Sequence, residues 1–280
     1  DHDSWVTMIS YSPDGRYLLT ASQDRTARVW DAATGKPLHA KPLQHSSYVS
    51  SAVFSAVGKL VLTASIDSSA KVWTTATGQP LHEGVKHKGE VRHAEFSHDG
   101  KWLATASEDR TARVWETATG KPVTEPLRHD GPVNWVSFSP DGKYLVTASA
   151  DKTARVWRSD TGQPAAEPLK HEAEVKTAIF SPNGQLLVTC SREKLARVWE
   201  SSSWKLVSEP LQHDGLIRSA TFSADGSYLV TASEDKTARV WLMSLPGKTP
   251  KWLPELAETV GGFRIAEAGG AELVQDPWKR

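Results

Sequence analysis

Residues 132–139, PVNWVSFS, alternate apolar and polar positions as a half-buried strand does. SPDG follows, with Pro, Asp and Gly where a type I turn takes them. KYLVTAS (143–149) reads as a second strand, ADK as a tight turn and TARVW (153–157) as a third strand. DTGQ turns the chain again. PAAEPLK (164–170) then reads as a fourth strand whose prolines suit an outer edge. The pattern predicts one four-stranded antiparallel sheet.

The same pattern recurs along the chain. SEDRTARVW at 107–115 has five close copies, ending at Trp30, Trp73, Trp157, Trp199 and Trp241. These six tryptophans are spaced 43, 42, 42, 42 and 42 apart, and His2, His45, His87, His129, His171 and His213 follow the same steps. A fixed period in this range marks a repeat architecture, in which each unit is one small sheet. The chain is all-β on this reading, with six repeats.

A His near the start of each unit, a Ser ending the second strand, an Asp in the next turn and a Trp in the third strand resemble the WD40 repeat. The resemblance covers residues 2 to about 253 and implies a β-propeller of six four-stranded antiparallel blades. Only Trp30 is followed by the Asp of the family's signature, at Asp31. For repeat four the resemblance, together with hydrogen-bond chemistry, links His129, Ser149, Asp151 and Trp157 in a structural network. The indole N–H needs an acceptor, a hydroxyl both accepts and donates, and an imidazole passes the chain on to a carboxylate. A hydrolytic Ser–His–Asp triad is the competing reading. It needs an exposed nucleophile and an oxyanion hole, and six equal copies beside six tryptophans favour a fastener over an active site.

Two repeats depart from the pattern. Repeat five carries Glu193 for Asp, Cys190 for Ala and Leu195 for Thr, and is expected to be the weakest full repeat. Cys190 aligns with core alanines and reads as a small buried residue. Repeat two has Ala56, Val57 and Gly58 in place of Pro-Asp-Gly, and Ser69 and Lys71 for Thr and Arg.

Composition narrows the function. Of 280 residues, 33 are Lys or Arg and 33 are Asp or Glu, so no net field draws a polyanion or an anionic membrane surface. No apolar run approaches the ~18 residues of a membrane span. One cysteine excludes an intrachain disulfide framework and fits a reducing compartment such as the cytoplasm. The chain opens on Asp1, which suggests a segment of something longer. His82, His87, His93 and His98 lie close in sequence. However, His93 and His98, five residues apart on one strand, stand roughly 16 Å apart and cannot share a metal. No Gly-rich phosphate loop opens a helix. No catalytic residue, cofactor or metal is expected.

The residues that differ between repeats carry the candidate binding site. Trp5, Tyr48, Glu90, Pro132, Glu174 and Leu216 come three residues after the His. Thr7, Ser50, Arg92, Asn134, Lys176 and Arg218 come five after it, and Gln23, Ile66, Glu108, Ala150, Arg192 and Glu234 precede the turn acid. The WD40 resemblance implies that these positions border the face used by peptide or protein partners. Trp5, Tyr48 and Ile66 would form an apolar side and Arg92, Lys176 and Arg218 a cationic one, and Asn134 belongs to the same expected site.

After the repeats (1–253) an extension (254–280) is expected. WLPELAETVGG reads as a short helix and FRIAEAGGAELV as a small hairpin. PKWLPELAETVGGFRIAE and LVQDPWKR also resemble segments that follow WD40 repeats in large bacterial multidomain proteins, some linked to Ser/Thr kinases. Six blades closing directly, with the extension packed against them, is the expected closure. A seventh blade is then missing or partial. The expected function is a non-catalytic, monomeric scaffold for a peptide or protein partner, with no nucleic acid and no membrane. A regulatory or ligand-sensing module of a larger bacterial signalling enzyme is the alternative, and a hydrolase using one atypical blade is a remoter one.

Overall fold

The structure is a computed structural model, which describes residues 1–207, 209–243, 263–265 and 271–273. It divides into two compact units, Asp1–Ala178 and Ile179–Arg280.

In the first unit, repeat four shows how the sequence builds a blade. Its strands are Val133–Phe138, Tyr144–Ser149, Thr153–Arg158 and Leu169–Lys170, antiparallel and paired in chain order. Gly142, at φ 70°, closes the first hairpin in the left-handed region that glycine adopts freely. The Ser139 hydroxyl donates to the Asp141 carboxylate at 2.7 Å and accepts from the Tyr144 N–H at 2.9 Å, which locks that turn. Repeats one, two and three repeat this order of four strands.

The fourth strand is shorter than the sequence pattern predicts. Only two residues, Leu169–Lys170, pair as a strand, and a single bridge joins Trp157 to Pro164. Pro164 and Pro168 have no N–H to give to a ladder, so the segment touches the sheet at two points and bows away between them. The same bridge recurs at Pro37, Pro80 and Pro122.

The second strands are buried on both faces, which explains why YLVTAS reads as a nearly unbroken run of apolar and small residues. Each hydrophobic core lies between consecutive repeats and not within one. Ala104, Ala106, Ala112, Val114 and Leu127 of repeat three pack with Val133, Val136, Phe138, Leu145 and Trp157 of repeat four. Trp115 joins the core shared with repeat two, and Trp73 the core shared with repeat one. Trp73, Trp115 and Trp157 thus each anchor their blade to the one before it.

In the second unit, Leu186–Ser191 and Leu195–Glu200 pair, with Lys205–Leu206 and Leu211–Gln212 both along the outer side of Leu195–Glu200. Repeat six contributes three paired strands, Ile217–Phe222, Tyr228–Ser233 and Ala238–Leu242. Cys190 is buried among Val188, Ala196, Val198 and Leu229. Phe263–Ile265 and Ala271–Leu273 pair antiparallel, and the latter runs beside Ala238–Leu242. The predicted helix after Lys251 and the fourth strand expected for repeat six lie outside the described residues.

Candidate functional site

Repeat four also shows the recurring network in full, and it corrects one member. The Trp157 Nε1–H donates to the hydroxyl of Thr147, at 2.9 Å, and not to that of Ser149. Thr147 in turn meets His129 Nε2 at 2.7 Å, and His129 Nδ1 meets Asp151 Oδ2 at 2.7 Å. Since a carboxylate only accepts, Nδ1 carries the proton. Nε2 then accepts from the Thr147 hydroxyl, and the chain runs from indole to carboxylate without a break. This direction requires a neutral imidazole. Burial supplies it, lowering the His129 pKa in spite of the neighbouring Asp151 carboxylate.

Ser149 has a different task. Its hydroxyl contacts the carbonyls of Gly131 and Pro132 at 3.1 and 3.0 Å, and it accepts the Asp151 N–H at 3.1 Å. The serine fixes the loop that brings in His129, while the threonine two residues earlier joins His to Trp. No Ser–His pair of the triad kind exists here, and Thr147 is fully buried. The signal for threonine was present in the sequence, since TAS or TCS precedes the turn in every repeat. The register made the choice: Leu145 pairs with Trp157, so the indole reaches diagonally to Thr147.

Asp151 is the anchor of the turn. Burial would raise its pKa, but hydrogen bonds from His129, Thr153 and the Asp130 N–H hold it well below the usual carboxylate range. Lys152 adopts φ 69°, a left-handed conformation unusual for a non-glycine residue, and the Asp151 carboxylate secures the turn by accepting the Thr153 N–H at 2.9 Å. The basic residue of each ARVW phrase turns to its own blade. Arg113 and Lys71 each stand 5.5 Å over the ring of the following Trp, and Arg155 donates to the Arg128 carbonyl at 3.0 Å.

In repeats one to three, two of the variable positions meet at the end that carries the His loop. The Gln23 N–H donates to the Trp5 carbonyl, the Ile66 N–H to that of Tyr48, and the Glu108 N–H to that of Glu90. Trp5 is 79 % exposed and Tyr48 47 %, while Ile66 is half-buried. Apolar exposure continues from Trp5 along the first strand through Val6, Ile9 and Tyr11.

The cationic side is different from the sequence expectation. Arg92 is paired with Glu108 and also donates to the Asn134 carbonyl oxygen. Lys176 is paired with Glu174 at 2.7 Å, and Arg218, in the second unit, with Glu234. Asn134 is buried, and its amide donates to Glu174 at 3.0 Å and to the Val175 carbonyl at 2.8 Å. Thr7 donates likewise to the Val49 carbonyl, and Ser50 to that of Val91. In repeats one to four the position five residues after the His is therefore a fastener between neighbouring blades, while Lys176 and Arg218 are neutralised within their own repeats.

The clustered histidines part company in space. His87 joins its own network with Thr105 and Asp109. His82 bonds the Thr117 carbonyl, and His93 stacks on Trp135 at 3.5 Å with its pKa pushed down by burial to about 3. Glu95, on the same strand, is pushed up by burial to about 7, against hydrogen bonds from the Phe138 N–H and Ser137. Among the described residues no group of three metal-ligating side chains forms, and no helix is long and apolar enough to cross a membrane.

Comparison with known proteins agrees with this arrangement. The family model "WD domain, G-beta repeat" matches residues 1–31, 35–74, 78–116, 120–158, 162–200 and 204–241. The chain belongs to the WD40 family. Its fold class is the β-propeller, all-β and built of six such repeats. Among curated proteins it is 47 % identical over 34 residues to nuclear distribution protein PAC1-2 of Uncinocarpus reesii, covering 12 % of this chain and 7 % of that protein. It is 57 % identical over 30 residues to nuclear distribution protein nudF 2 of Aspergillus clavatus, covering 11 % and 7 %. These likenesses span about one repeat and under a tenth of each relative's length. Both relatives are fungal, and neither supports the resemblance to bacterial kinase-linked proteins. A crystal structure of the computationally designed Ika8 protein superposes with TM-score 0.75 at 25 % identity, over 86 % of this chain and 72 % of that one.

Proposed function

We propose that this WD40 protein is a non-catalytic platform that binds a peptide or protein at the His-loop end, with the exposed aromatics of repeats one and two as its anchors. The observation that carries this reading is the exposure of Trp5 and Tyr48 at equivalent places on adjacent blades. Large aromatic side chains in water are costly unless a partner covers them, and they are the usual centres of binding energy. Ile66 adds apolar area beside Tyr48. Arg92, Lys176 and Arg218 contribute as ion pairs, so they tune orientation at the rim more than they supply affinity. WD40 domains generally bind proteins or peptides, which agrees with this assignment.

A peptide array probed with the full chain tests the reading. Peptides that bind the parent protein should lose at least about tenfold in affinity to Trp5→Ala/Tyr48→Ala, because each buried aromatic anchor contributes about 1–3 kcal/mol. Charge reversal at Lys59, near the opposite turns, should leave those affinities nearly unchanged. Retained binding by the double variant would refute the assignment of this face.

A further inference from the structure

Six copies of one blade allow each to serve as a control for the others, and in the first unit three departures from the common pattern meet in one place. His98 occupies a position that is Pro or Ala in the other five repeats. Trp102 stands where the others have Tyr or Leu, and Arg158 where the others have Asp, Thr, Glu or Leu. His98 and Trp102 lie at the first hairpin of repeat three, and Arg158 at the end of the third strand of repeat four. These three side chains line a single cleft of about 410 Å³, at the end of the blades opposite the His loops. The volume falls in the range of small-ligand sites.

The chemistry of the cleft is specific. Arg158 is exposed, and its guanidinium has no hydrogen-bond or ion-pair partner among the described residues. Lys143, also in the lining, is already bonded to Asp141 at 3.1 Å, and Asp99 accepts from Ser97 and from the Lys101 N–H. Arg158 is thus the cation free to receive a ligand anion, and its planar fork matches a carboxylate in a bidentate manner. The half-buried Trp102 indole and Pro140 offer an apolar wall beside it. Asp160, exposed at the rim and likewise unpartnered among the described residues, can accept an N–H.

We propose that this cleft binds a peptide carboxylate carried next to an aromatic side chain. The carboxylate meets Arg158, the ring lies on Trp102 and a backbone N–H reaches Asp160. A doubly charged phosphate fits less well, because the carboxylates of Asp99, Asp141 and Asp160 share the lining and repel the second charge. The site is independent of the aromatic face proposed above, since it uses the opposite end of the blades.

Titration calorimetry on the full chain tests the proposal with three probes. They are N-acetyl-Glu-Phe-amide, N-acetyl-phenylalaninate and the neutral N-acetyl-Gln-Phe-amide. At least one acid should bind, and the neutral probe at least about tenfold more weakly, because an ionised acceptor makes the stronger bond to a guanidinium. Binding of the first acid alone would mean an internal acidic residue, and binding of the second alone a chain terminus. Arg158→Glu should lower affinity at least about tenfold, and Trp102→Leu about three- to tenfold. Both substitutions install residues that other repeats carry at the same places, so the blade tolerates them. Lys59→Glu should leave affinity within about twofold, as an exposed distant charge. Equal binding of the neutral probe, unchanged binding by Arg158→Glu, or no binding of either acid at millimolar concentration would overturn the proposal.

Discussion

The turn of repeat four, Ala150 to Thr153, and that of repeat five, Arg192 to Leu195, differ in the length of the acid and in the presence of a hydroxyl two residues after it. Asp151 accepts from His129, the Asp130 N–H, the Thr153 N–H and the Thr153 hydroxyl, so one carboxylate holds both the turn and the incoming loop. In repeat five the carboxylate of Glu193 pairs with Arg197 four residues on, at 2.8 Å. Leu195 stands where Thr153 stands in repeat four and offers no hydroxyl. Repeat six, in the same unit as Glu193, restores the arrangement: Asp235 accepts from His213 at 2.8 Å and from the Thr237 hydroxyl at 2.6 Å. What the two turns share is the inner half of the network, because Trp199 still donates to Thr189 at 2.9 Å. The Trp–Thr bond is made in all six repeats, whereas the turn acid is Asp in five of them and Glu in one.

The largest effect should come from breaking what the two turns share. Thr147→Val keeps the shape but leaves the Trp157 N–H and His129 Nε2 without their hydroxyl, at a cost of about 2–4 kcal/mol. Thr189→Val should likewise deprive Trp199 of its acceptor. Trp157→Phe, which leaves the Thr147 hydroxyl without its donor, should cost about 1–3 kcal/mol. Ser149→Ala, which touches only the loop carbonyls and one N–H, should cost about 1 kcal/mol. Urea midpoints at constant slope measure all of these. A serine variant as damaging as the threonine one would restore serine to the centre of the network.

Acid should expose how differently the carboxylates and imidazoles are held. His45, His87 and His129 are lowered by burial, so the unfolded chain binds protons first, and stability falls as pH drops below about 6.5. Asp67, Asp109 and Asp151 are also depressed, which adds a second loss as pH falls below about 3.8 and on through their folded values. Glu95 has the opposite sign. Its pKa is raised to about 7, so its share of stability is complete below about 4.5 and is lost as pH rises through 7. Glu95→Gln should therefore stabilise the protein by about 1–2 kcal/mol at pH 8 and leave it unchanged near pH 4.5. Thermal melts at the two pH values measure this, and equal shifts at both would refute it.

The smallest effect should come from making repeat five resemble repeat four. Glu193→Asp together with Leu195→Thr returns the short carboxylate and the hydroxyl, and should raise stability by about 0.5–1.5 kcal/mol. Hydrogen exchange should show repeat five less protected than repeat six in the parent and nearer to it in the double variant. Equal protection of the two repeats in the parent would show that the arginine-paired glutamate is as good a fastener.

The sequence by itself determined the fold. Period, alternation and turn residues are local, and six copies make them unmistakable. Strand order, the hairpin turns and the burial of Cys190 were all legible for that reason. The tertiary structure decided which hydroxyl the indole meets, because Ser149 and Thr147 lie on one strand two residues apart and only cross-strand register separates them. It also decided that Asn134 is buried and that Arg92 and Lys176 are paired. Glu174 stands only two residues before Lys176, but Glu108 meets Arg92 across the strands of one blade and Asn134 meets it from the next, and no spacing rule announces a contact between blades. The cleft at Arg158 has the same origin. Its three unusual residues come from two repeats, 60 positions apart at the extremes, and only the packing of one blade on the next brings them together.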